Sequence, residues 1–257
     1  MDKRIVVFTG FAGSGKTRAA KLLVEEGNFR HMKMARMLKD ILVEVGMEED
    51  YLEDRDKKEA VLARVPFRNN TPQAVAHDIL AALTARWGWT EYGLLARLKT
   101  EPLQPVPQAQ GKTMDELVEA AENVVTGWLW GLGGTTTPRR IMQELGTDFM
   151  RWVHPDIHVN YALTELQGES SHNIVFDDVR FPNEIEALRK LGAYVVWLHR
   201  PALVPKDRHA SEHSIGDGCA DIVVKSLEGE ALDEAVRHWL YTGSWPNELI
   251  MREKNVA

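Results

Sequence analysis

The residues with the clearest chemical meaning lie near the start of the chain, where residues 10–17 read Gly-Phe-Ala-Gly-Ser-Gly-Lys-Thr. This octapeptide satisfies the full pattern Gly-x-x-x-x-Gly-Lys-Thr and lies between a short apolar run and a helical pattern, as P-loops do. Glycines let backbone N–H groups turn inward around phosphate oxygens, and the helix N-terminus adds partial positive charge. The ammonium of Lys16 can bridge the β- and γ-phosphates, and the hydroxyl of Thr17 is a candidate Mg²⁺ ligand. The sequence therefore predicts an ATP–Mg²⁺ site whose residues are Gly10, Ala12, Gly13, Ser14, Gly15, Lys16, Thr17 and Arg18.

A second candidate cluster begins directly after the apolar run Ile-Val-Phe at residues 174–176. Its first members are two adjacent acids, Asp177 and Asp178. Arg180, a proline turn and Glu184 come next, at what we predict to be the carboxyl end of a strand, where open α/β sheets bind ligands. The alternatives are that Asp178 caps the following helix and that Arg180 forms a surface ion pair. These features differ from those of motor-type ATPases, and the chain lacks the Asn-Lys-x-Asp sequence with which GTPases read guanine. Among P-loop proteins the pattern favours a kinase.

The elements that must position these clusters alternate between strand and helix. Residues 5–9 form a continuous β-branched and aromatic run, typical of a strand buried on both faces of a parallel sheet. Further strands are predicted at residues 29–34, 173–178, 193–199 and 221–224. Helices are predicted at residues 16–26, 37–45, 74–87, 114–130, 138–152 with a bend near Gly146, 158–166, 183–191 and 232–241, and a solvated helix or loop at 47–60. This alternation predicts an α/β fold of the P-loop kinase type, a parallel β-sheet flanked by helices on both faces.

Domain organisation is less regular in the middle of the chain. We predict one P-loop kinase domain over residues 1–257, with a helical insertion at about 61–134 and a lid segment at about 203–216, which prolines and a glycine bracket. Four tryptophans of the insertion, Trp87, Trp89, Trp128 and Trp130, could stack on a nucleotide base, although tryptophans at helical spacing are more typical of a core.

Composition excludes several classes of protein. Of the 257 residues, 31 are basic and 38 acidic, and the net charge of −7 argues against a protein that wraps nucleic acid. The single cysteine, Cys219, can form no internal disulfide. The apolar run before the P-loop is too short for a signal peptide, and no later stretch could span a bilayer. We therefore expect a cytoplasmic protein without membrane or stable nucleic-acid partners.

Four segments carry a longer family pattern. Besides the P-loop, residues 137–148 read Thr-Pro-Arg-Arg-Ile-Met-Gln-Glu-Leu-Gly-Thr-Asp and are followed by Arg151. Residues 178–184 read Asp-Val-Arg-Phe-Pro-Asn-Glu, and residues 209–212 read His-Ala-Ser-Glu. Together these segments resemble the bacteriophage deoxynucleoside monophosphate kinases, which belong to the P-loop kinases. The resemblance covers roughly residues 1–60 and 135–240 and leaves the insertion without a counterpart.

The resemblance implies transfer of the γ-phosphoryl group of ATP to a deoxynucleoside monophosphate (dNMP), giving the diphosphate, with Mg²⁺ as cofactor. It implies small-molecule nucleotides as partners, with a homodimer as one option. The implied catalytic residues are Lys16, Arg151, Asp178 and Arg180. The implied substrate-binding residues are Arg139, Arg140, Arg151, Arg180, Glu184, His209 and Glu212, and the implied Mg²⁺ ligands are Thr17 and Asp178.

Other interpretations stay open at this point. A kinase for another small molecule, such as dephospho-coenzyme A, an NTP-binding regulator and a polynucleotide-end kinase all use P-loops. Residues 209–213 also fit the His-x-x-Glu-His pattern of some zinc proteases, but zinc would need a helix there and a third ligand further on. His154 and His158 are four residues apart, and we interpret them as surface or capping histidines.

Overall fold

The computed structural model describes residues 4–62, 65–87, 114–130, 136–169, 172–201, 203 and 215–253. The chain divides into two compact units. The first combines Met1–Met34 with Ala162–Ala257, and the second is Ala35–Tyr161. The described parts of the predicted insertion lie in the second unit. Within the described ranges, no helix is long and apolar enough to cross a membrane.

A six-stranded sheet forms the centre of the first unit. Its strands are β1 (Ile5–Thr9), β2 (Phe29–Met32), β3 (Asn173–Phe176), β4 (Tyr194–His199), β5 (Ile222–Lys225) and β6 (Ile250–Glu253). They are ordered β2-β3-β1-β4-β5-β6, and all pairs are parallel except the antiparallel pair of β5 and β6. The predicted α/β fold with a parallel sheet is confirmed, and β6 is an additional strand that the sequence analysis did not predict.

Helices cover the faces of this sheet because its central strands, β3, β1, β4 and β5, are apolar on both sides. They are α1 (Lys16–Glu26), α9 (Ile157–Gln167), whose first residues belong to the second unit, α10 (Pro182–Arg189) and α11 (Gly229–Thr242). On one face, Val6 and Phe8 of β1 share a buried cluster with residues of α1 and α11 such as Leu23 and Val236. β1 is buried along its whole length, and its carboxyl end leads directly into the P-loop.

The second unit is helical. Its helices are α2 (Arg36–Glu44), α3 (Glu49–Glu53), α4 (Arg55–Glu59), α5 (Pro72–Trp87), α6 (Met114–Trp130), α7 (Pro138–Gln143) and α8 (Arg151–Val153). All of these helices except α4 contribute residues to one apolar core. The core includes Met37, Ile79 and Phe149, all of them almost completely buried. Residues 47–60, expected to be a solvated helix or loop, form two short helices, and Leu52 of α3 is fully buried in this core.

A π-helical segment, Glu144–Met150, joins α7 to α8. Thr137 caps α7 as predicted, since its hydroxyl accepts a hydrogen bond from the Arg140 amide at 3.2 Å. The irregularity near Gly146 was predicted as a bend, and it takes the form of wider helical turns. A Cβ at Gly146 would lie 2.7 Å from a methyl carbon of Leu38 in α2, so a larger residue here would require the Leu38 side chain to shift.

Candidate functional site

The P-loop forms a tight turn between β1 and α1. Gly10, Gly13 and Gly15 have φ angles of +131°, +85° and +97°, which favour glycine. A Cβ at Gly10 would lie 2.6 Å from the carbonyl oxygen of Leu198 in β4, and a Cβ at Gly15 would lie 2.5 Å from Leu232 in α11. The loop is therefore closely packed between neighbouring elements, which fixes the directions of its backbone N–H groups.

The side chain of Lys16 lies over this loop. Its ammonium donates hydrogen bonds to the carbonyl oxygens of Gly10, at 2.7 Å, and Phe11, at 2.9 Å. The adjacent cavity, which Asp177, Asp178 and Arg180 also line, measures about 30 Å³ and has room for about one water molecule. A phosphate group bound in this loop would compete with these carbonyl oxygens for the Lys16 ammonium.

Ser226 connects the P-loop to the end of β5. Its hydroxyl donates a 2.6 Å hydrogen bond to the Ser14 carbonyl, and its amide donates to the His199 carbonyl at 2.7 Å. Ser14 is 1% exposed, and its own hydroxyl oxygen has no hydrogen-bond partner in the described part of the chain. Buried polar atoms are seldom left without partners, so this orphaned oxygen indicates a site built for a polar ligand.

Asp177 lies at the carboxyl edge of the sheet, beside two basic side chains at the end of β2. Because Met32 pairs with Phe176, the next residues along the two parallel strands, Lys33 and Asp177, are neighbours. One Asp177 oxygen, Oδ1, accepts hydrogen bonds from Lys33 Nζ at 2.5 Å and from His31 Nε2 at 2.8 Å. Burial would raise the pKa of Asp177, but the His31 hydrogen bond and the Lys33 charge outweigh burial and hold that pKa well below its usual range.

The second oxygen of Asp177, Oδ2, is buried and has no hydrogen-bond partner within the described ranges. An ionised carboxylate oxygen in this position fits a hydrated cation, since Mg²⁺ prefers oxygen ligands and usually keeps several of its waters. Thr17 is exposed on the first turn of α1. The carboxylates of Asp177 and Asp178 at this edge therefore have the chemistry of Mg²⁺ ligands, and Asp177 joins the predicted Thr17 and Asp178 as a candidate.

Asp178 and Glu184 fix the backbone around the predicted acceptor side of the site. The Asp178 carboxylate accepts a 2.8 Å hydrogen bond from the Met34 amide, which follows β2. Glu184, 3% exposed, accepts hydrogen bonds from the backbone amides of Arg180, at 2.7 Å, and Phe181, at 3.1 Å. Glu184 thus holds the backbone of the turn that presents Arg180, and the implied contact of Glu184 with substrate stays a prediction.

The remaining predicted arginines have acidic or carbonyl partners. Arg18 forms a two-pronged ion pair with Asp233 of α11, with both N–O distances at 2.6 Å. In the second unit, Arg139 pairs with Glu59 at 2.5 Å, Arg140 pairs with Glu144 at 2.6 Å, and Arg151 donates to the Pro155 carbonyl at 2.9 Å. Their contacts with ATP or with an acceptor stay predictions.

His154 and His158, both in the second unit, differ in their surroundings. His154 stands at the C-cap position of α8, and its Nδ1 accepts a hydrogen bond from the Asp156 amide at 3.1 Å. The interpretation of His158 as a surface or capping residue is wrong, because it is 5% exposed and its Nε2 contacts the Gly146 carbonyl at 3.0 Å. Burial and the nearby Arg151 charge lower the pKa of His158 to about 4, against the raising effect of the Gly146 hydrogen bond.

Sequence reasoning missed His31, Lys33 and Ser226, which lie in or directly after strands that pair only in the folded chain. The adjacent acids were visible, but Asp178 alone was chosen. The useful signal was the alternation of His31 and Lys33 at the end of a predicted strand, since residues two apart share a face. His209, Glu212 and most of the predicted lid lie outside the described residues, as does Trp89. Within the described ranges, no three His, Cys, Asp or Glu residues form a cluster that could hold a metal.

Comparison with known proteins matches this chain to one family. The family model for deoxynucleotide monophosphate kinase matches residues 78–234, more than half of the chain. A protein of Acanthamoeba polyphaga mimivirus, named "Putative deoxynucleotide monophosphate kinase", is 33% identical over 88 residues. That alignment covers 30% of this chain and 46% of the viral protein, so the chain spans about half the length of this relative.

The matched range includes residues 78–134, which the motif comparison left without a counterpart, and it begins after the P-loop. The P-loop is thus supported by its own motif and geometry, and the later motifs by the family model as well. By this match, the chain belongs to the deoxynucleotide monophosphate kinase family.

Proposed function

We propose that this protein transfers the γ-phosphoryl group of ATP to a deoxynucleoside monophosphate, giving ADP and the diphosphate. The observation that carries the proposal is the meeting of a complete P-loop with Asp177, Asp178 and Arg180 at one sheet edge, in a chain of this family. Family membership supports deoxynucleoside monophosphates as the acceptor class, and the P-loop geometry supports ATP as the phosphate donor.

In this reaction an oxygen of the acceptor phosphate forms a bond to the γ-phosphorus, and the bond to the β–γ bridging oxygen breaks. Both reactants are anionic, so catalysis depends mainly on positioning and on positive charge along the transfer path. Lys16 and the P-loop amides would hold the donor phosphates. Arg180, in the turn that Glu184 fixes, and Arg151 would hold the acceptor phosphate.

Mg²⁺, when bound, would neutralise charge on the β- and γ-phosphate oxygens. Thr17, Asp177 and Asp178 would hold it, directly or through water. Asp177 is suited to this because Lys33 and His31 keep it ionised and in place while its Oδ2 has no protein donor within the described ranges. Lys33 would also limit the negative charge that the two adjacent carboxylates bring to the site.

A coupled assay of ADP release over a panel of acceptors tests the proposal. The panel contains the four dNMPs, the matching ribonucleoside monophosphates, dephospho-coenzyme A and a 5′-hydroxyl oligonucleotide. We expect turnover with at least one dNMP and a dependence on Mg²⁺. Preferred turnover of dephospho-coenzyme A, or of the oligonucleotide with salt-sensitive binding, would replace the proposal with the corresponding kinase.

Substituting Arg151 or Arg180 tests their proposed contact with the acceptor. Arg151→Ala and Arg180→Ala should each raise the KM for the dNMP at least tenfold while the KM for ATP changes little. Lysine at either position keeps the charge but loses the planar fork, so it should restore only part of the affinity. Steady-state kinetics with each substrate varied, beside a thermal melt, measures this. Wild-type kinetics in both alanine variants would remove these arginines from the site.

We further propose a cytoplasmic enzyme without stable nucleic-acid partners, in keeping with its net charge of −7. Homodimer formation stays a prediction, which sedimentation velocity at micromolar concentration measures directly.

A further inference from the structure

A buried histidine contacts the π-helical segment that comes just before Arg151. His158 lies in the first turn of α9, is 5% exposed, and places Nε2 3.0 Å from the carbonyl oxygen of Gly146. A carbonyl oxygen only accepts hydrogen bonds, so Nε2 carries the proton and donates. Nδ1 is then the unprotonated nitrogen of the neutral ring, and it is buried without a hydrogen-bond partner within the described ranges.

The Gly146 carbonyl is a sensitive point in the helix. It lies near the start of the π-helical segment Glu144–Met150, whose wider turns set the direction in which the following α8 presents Arg151. Twelve residues separate Arg139 from Arg151, about three and a third α-helical turns, so regular α-helix would not align them. Single π-helical turns occur frequently at functional sites, where they redirect side chains.

Arg151 is anchored to the same connection. Its Nη1 donates to the Pro155 carbonyl at 2.9 Å, and Pro155 lies between α8 and α9, three residues before His158. Burial and, to a smaller extent, the Arg151 charge lower the pKa of His158 to about 4, so the ring is neutral at physiological pH. A neutral ring can contact the Gly146 carbonyl without repelling the guanidinium.

We propose that His158 is a positioning residue for Arg151, because its hydrogen bond to Gly146 keeps the π-helical turn in the form that aims Arg151 at the acceptor phosphate. This inference rests on the proposed function, in which Arg151 binds the dNMP. His158 itself touches no substrate in this scheme.

Two substitutions separate the hydrogen bond from packing. His158→Leu removes the donor but fills the space, whereas the amide of His158→Gln can still reach the Gly146 carbonyl. We expect His158→Leu to raise the dNMP KM at least tenfold with the ATP KM within twofold of wild type, and His158→Gln to stay within threefold for both. Should His158→Leu fail to fold, His158→Asn replaces it, because its shorter amide cannot reach that carbonyl.

A double-mutant cycle shows whether the effect passes through Arg151. In an Arg151→Lys background, His158→Leu should raise the dNMP KM less than twofold further. The inference would be overturned if the two substitutions raised the dNMP KM by independent factors that multiply in the double variant. It would also be overturned if His158→Leu alone left the dNMP KM unchanged, or changed the KM values for dNMP and ATP equally.

A wild-type protein that transfers no phosphate would refute the proposed function separately. In that case the His158 variants are compared with wild type by the Kd for dNMP, measured by calorimetry. We expect the same ratios for Kd as those given above for the dNMP KM. Absence of dNMP binding to the wild type would overturn the inference as well.

Discussion

The ammonium of Lys16 and the backbone around Gly10 show how single atoms determine the candidate donor site. The Lys16 ammonium donates hydrogen bonds to the loop carbonyls of Gly10 and Phe11, at 2.7 and 2.9 Å, and Lys16 belongs to neither of the two buried apolar clusters. Its loss should therefore affect charge more than folding. Gly10, by contrast, is packed against the backbone of β4, so changing it should affect structure first.

Lys16→Ala should lower kcat at least about 100-fold, since groups that stabilise developing charge are typically worth that much. The melting temperature should stay within a few degrees of wild type. Lys21→Ala is the matched control, because Lys21 is an exposed lysine on the same helix. A Lys16→Ala enzyme that keeps more than a tenth of the wild-type kcat would remove the assigned role.

Gly10→Ala should destabilise the protein by about 1–3 kcal/mol and weaken ATP binding, because a strained φ adds to a 2.6 Å approach to the Leu198 oxygen. Gly192→Ala is the control. Gly192 also has a positive φ, +80°, but a Cβ there meets nothing within 4 Å. Urea unfolding should show the larger loss for Gly10→Ala. Equal losses would mean that close packing against β4 contributes nothing.

Among the elements, regular helices and buried strands were predictable, and irregular or peripheral ones were not. The run Ile5–Thr9 and the helix Met114–Trp130 were predicted with their bounds, because their apolar patterns are continuous or periodic. β6 was missed because its residues, Ile-Met-Arg-Glu, are mostly exposed and its pairing with distant β5 leaves no local signal. The π-helical turns depend on contacts of Gly146 with Leu38 and His158, which no local pattern encodes.

The same reasoning applies to the candidate site. The P-loop and the acids after β3 were predictable, because each consists of consecutive residues whose types indicate their chemistry. Lys33 and His31 became visible only through the register of β2 against β3. Sequence alone could not tell that Asp177, beside Asp178, has the oxygen without a protein donor in the described ranges.

The buried His158 of α9 should make stability depend on pH. Its folded pKa of about 4 lies below the ordinary value of 6.5, so the unfolded chain binds the proton more tightly. Its contribution is complete above about pH 7 and is lost as the pH falls from 6.5 toward 4, by about 2 kcal/mol between pH 7 and pH 5.

Urea unfolding of wild type and His158→Gln at pH 7 and pH 5 measures this contribution. The variant should lose about 2 kcal/mol less than wild type over that interval. Asp177, whose pKa is depressed, does not interfere, since its contribution is lost only below about pH 4. Equal losses in both proteins would show that His158 does not carry the dependence.

Helix α6 contains a glycine that serves no visible packing purpose. Gly127 is exposed, and a Cβ there would meet nothing within 4 Å. Gly127→Ala should therefore stabilise the protein by about 0.5–1 kcal/mol through helix propensity alone. Thermal and urea melts measure the gain, and kinetics should not change. A loss of stability would show that this position contacts something beyond the described residues.

At the scale of the whole molecule, the sheet order has a consequence for synthesis on the ribosome. β1 and β2 are made first, but β1 pairs only with β3 and β4, and β2 pairs with β3, which begins at Asn173. The residues of the second unit, Ala35–Tyr161, form a continuous stretch with its own core and emerge in between. β1 and β2 therefore have no native partner strand until some 140 further residues have been synthesised, and during that time chaperones and proteases can reach them. The helical unit can already fold in the same interval. In ribosome-bound chains stalled 40 residues beyond Tyr161, we expect the helical unit to resist protease before residues 5–32 do, and the reverse order would contradict this sequence of events.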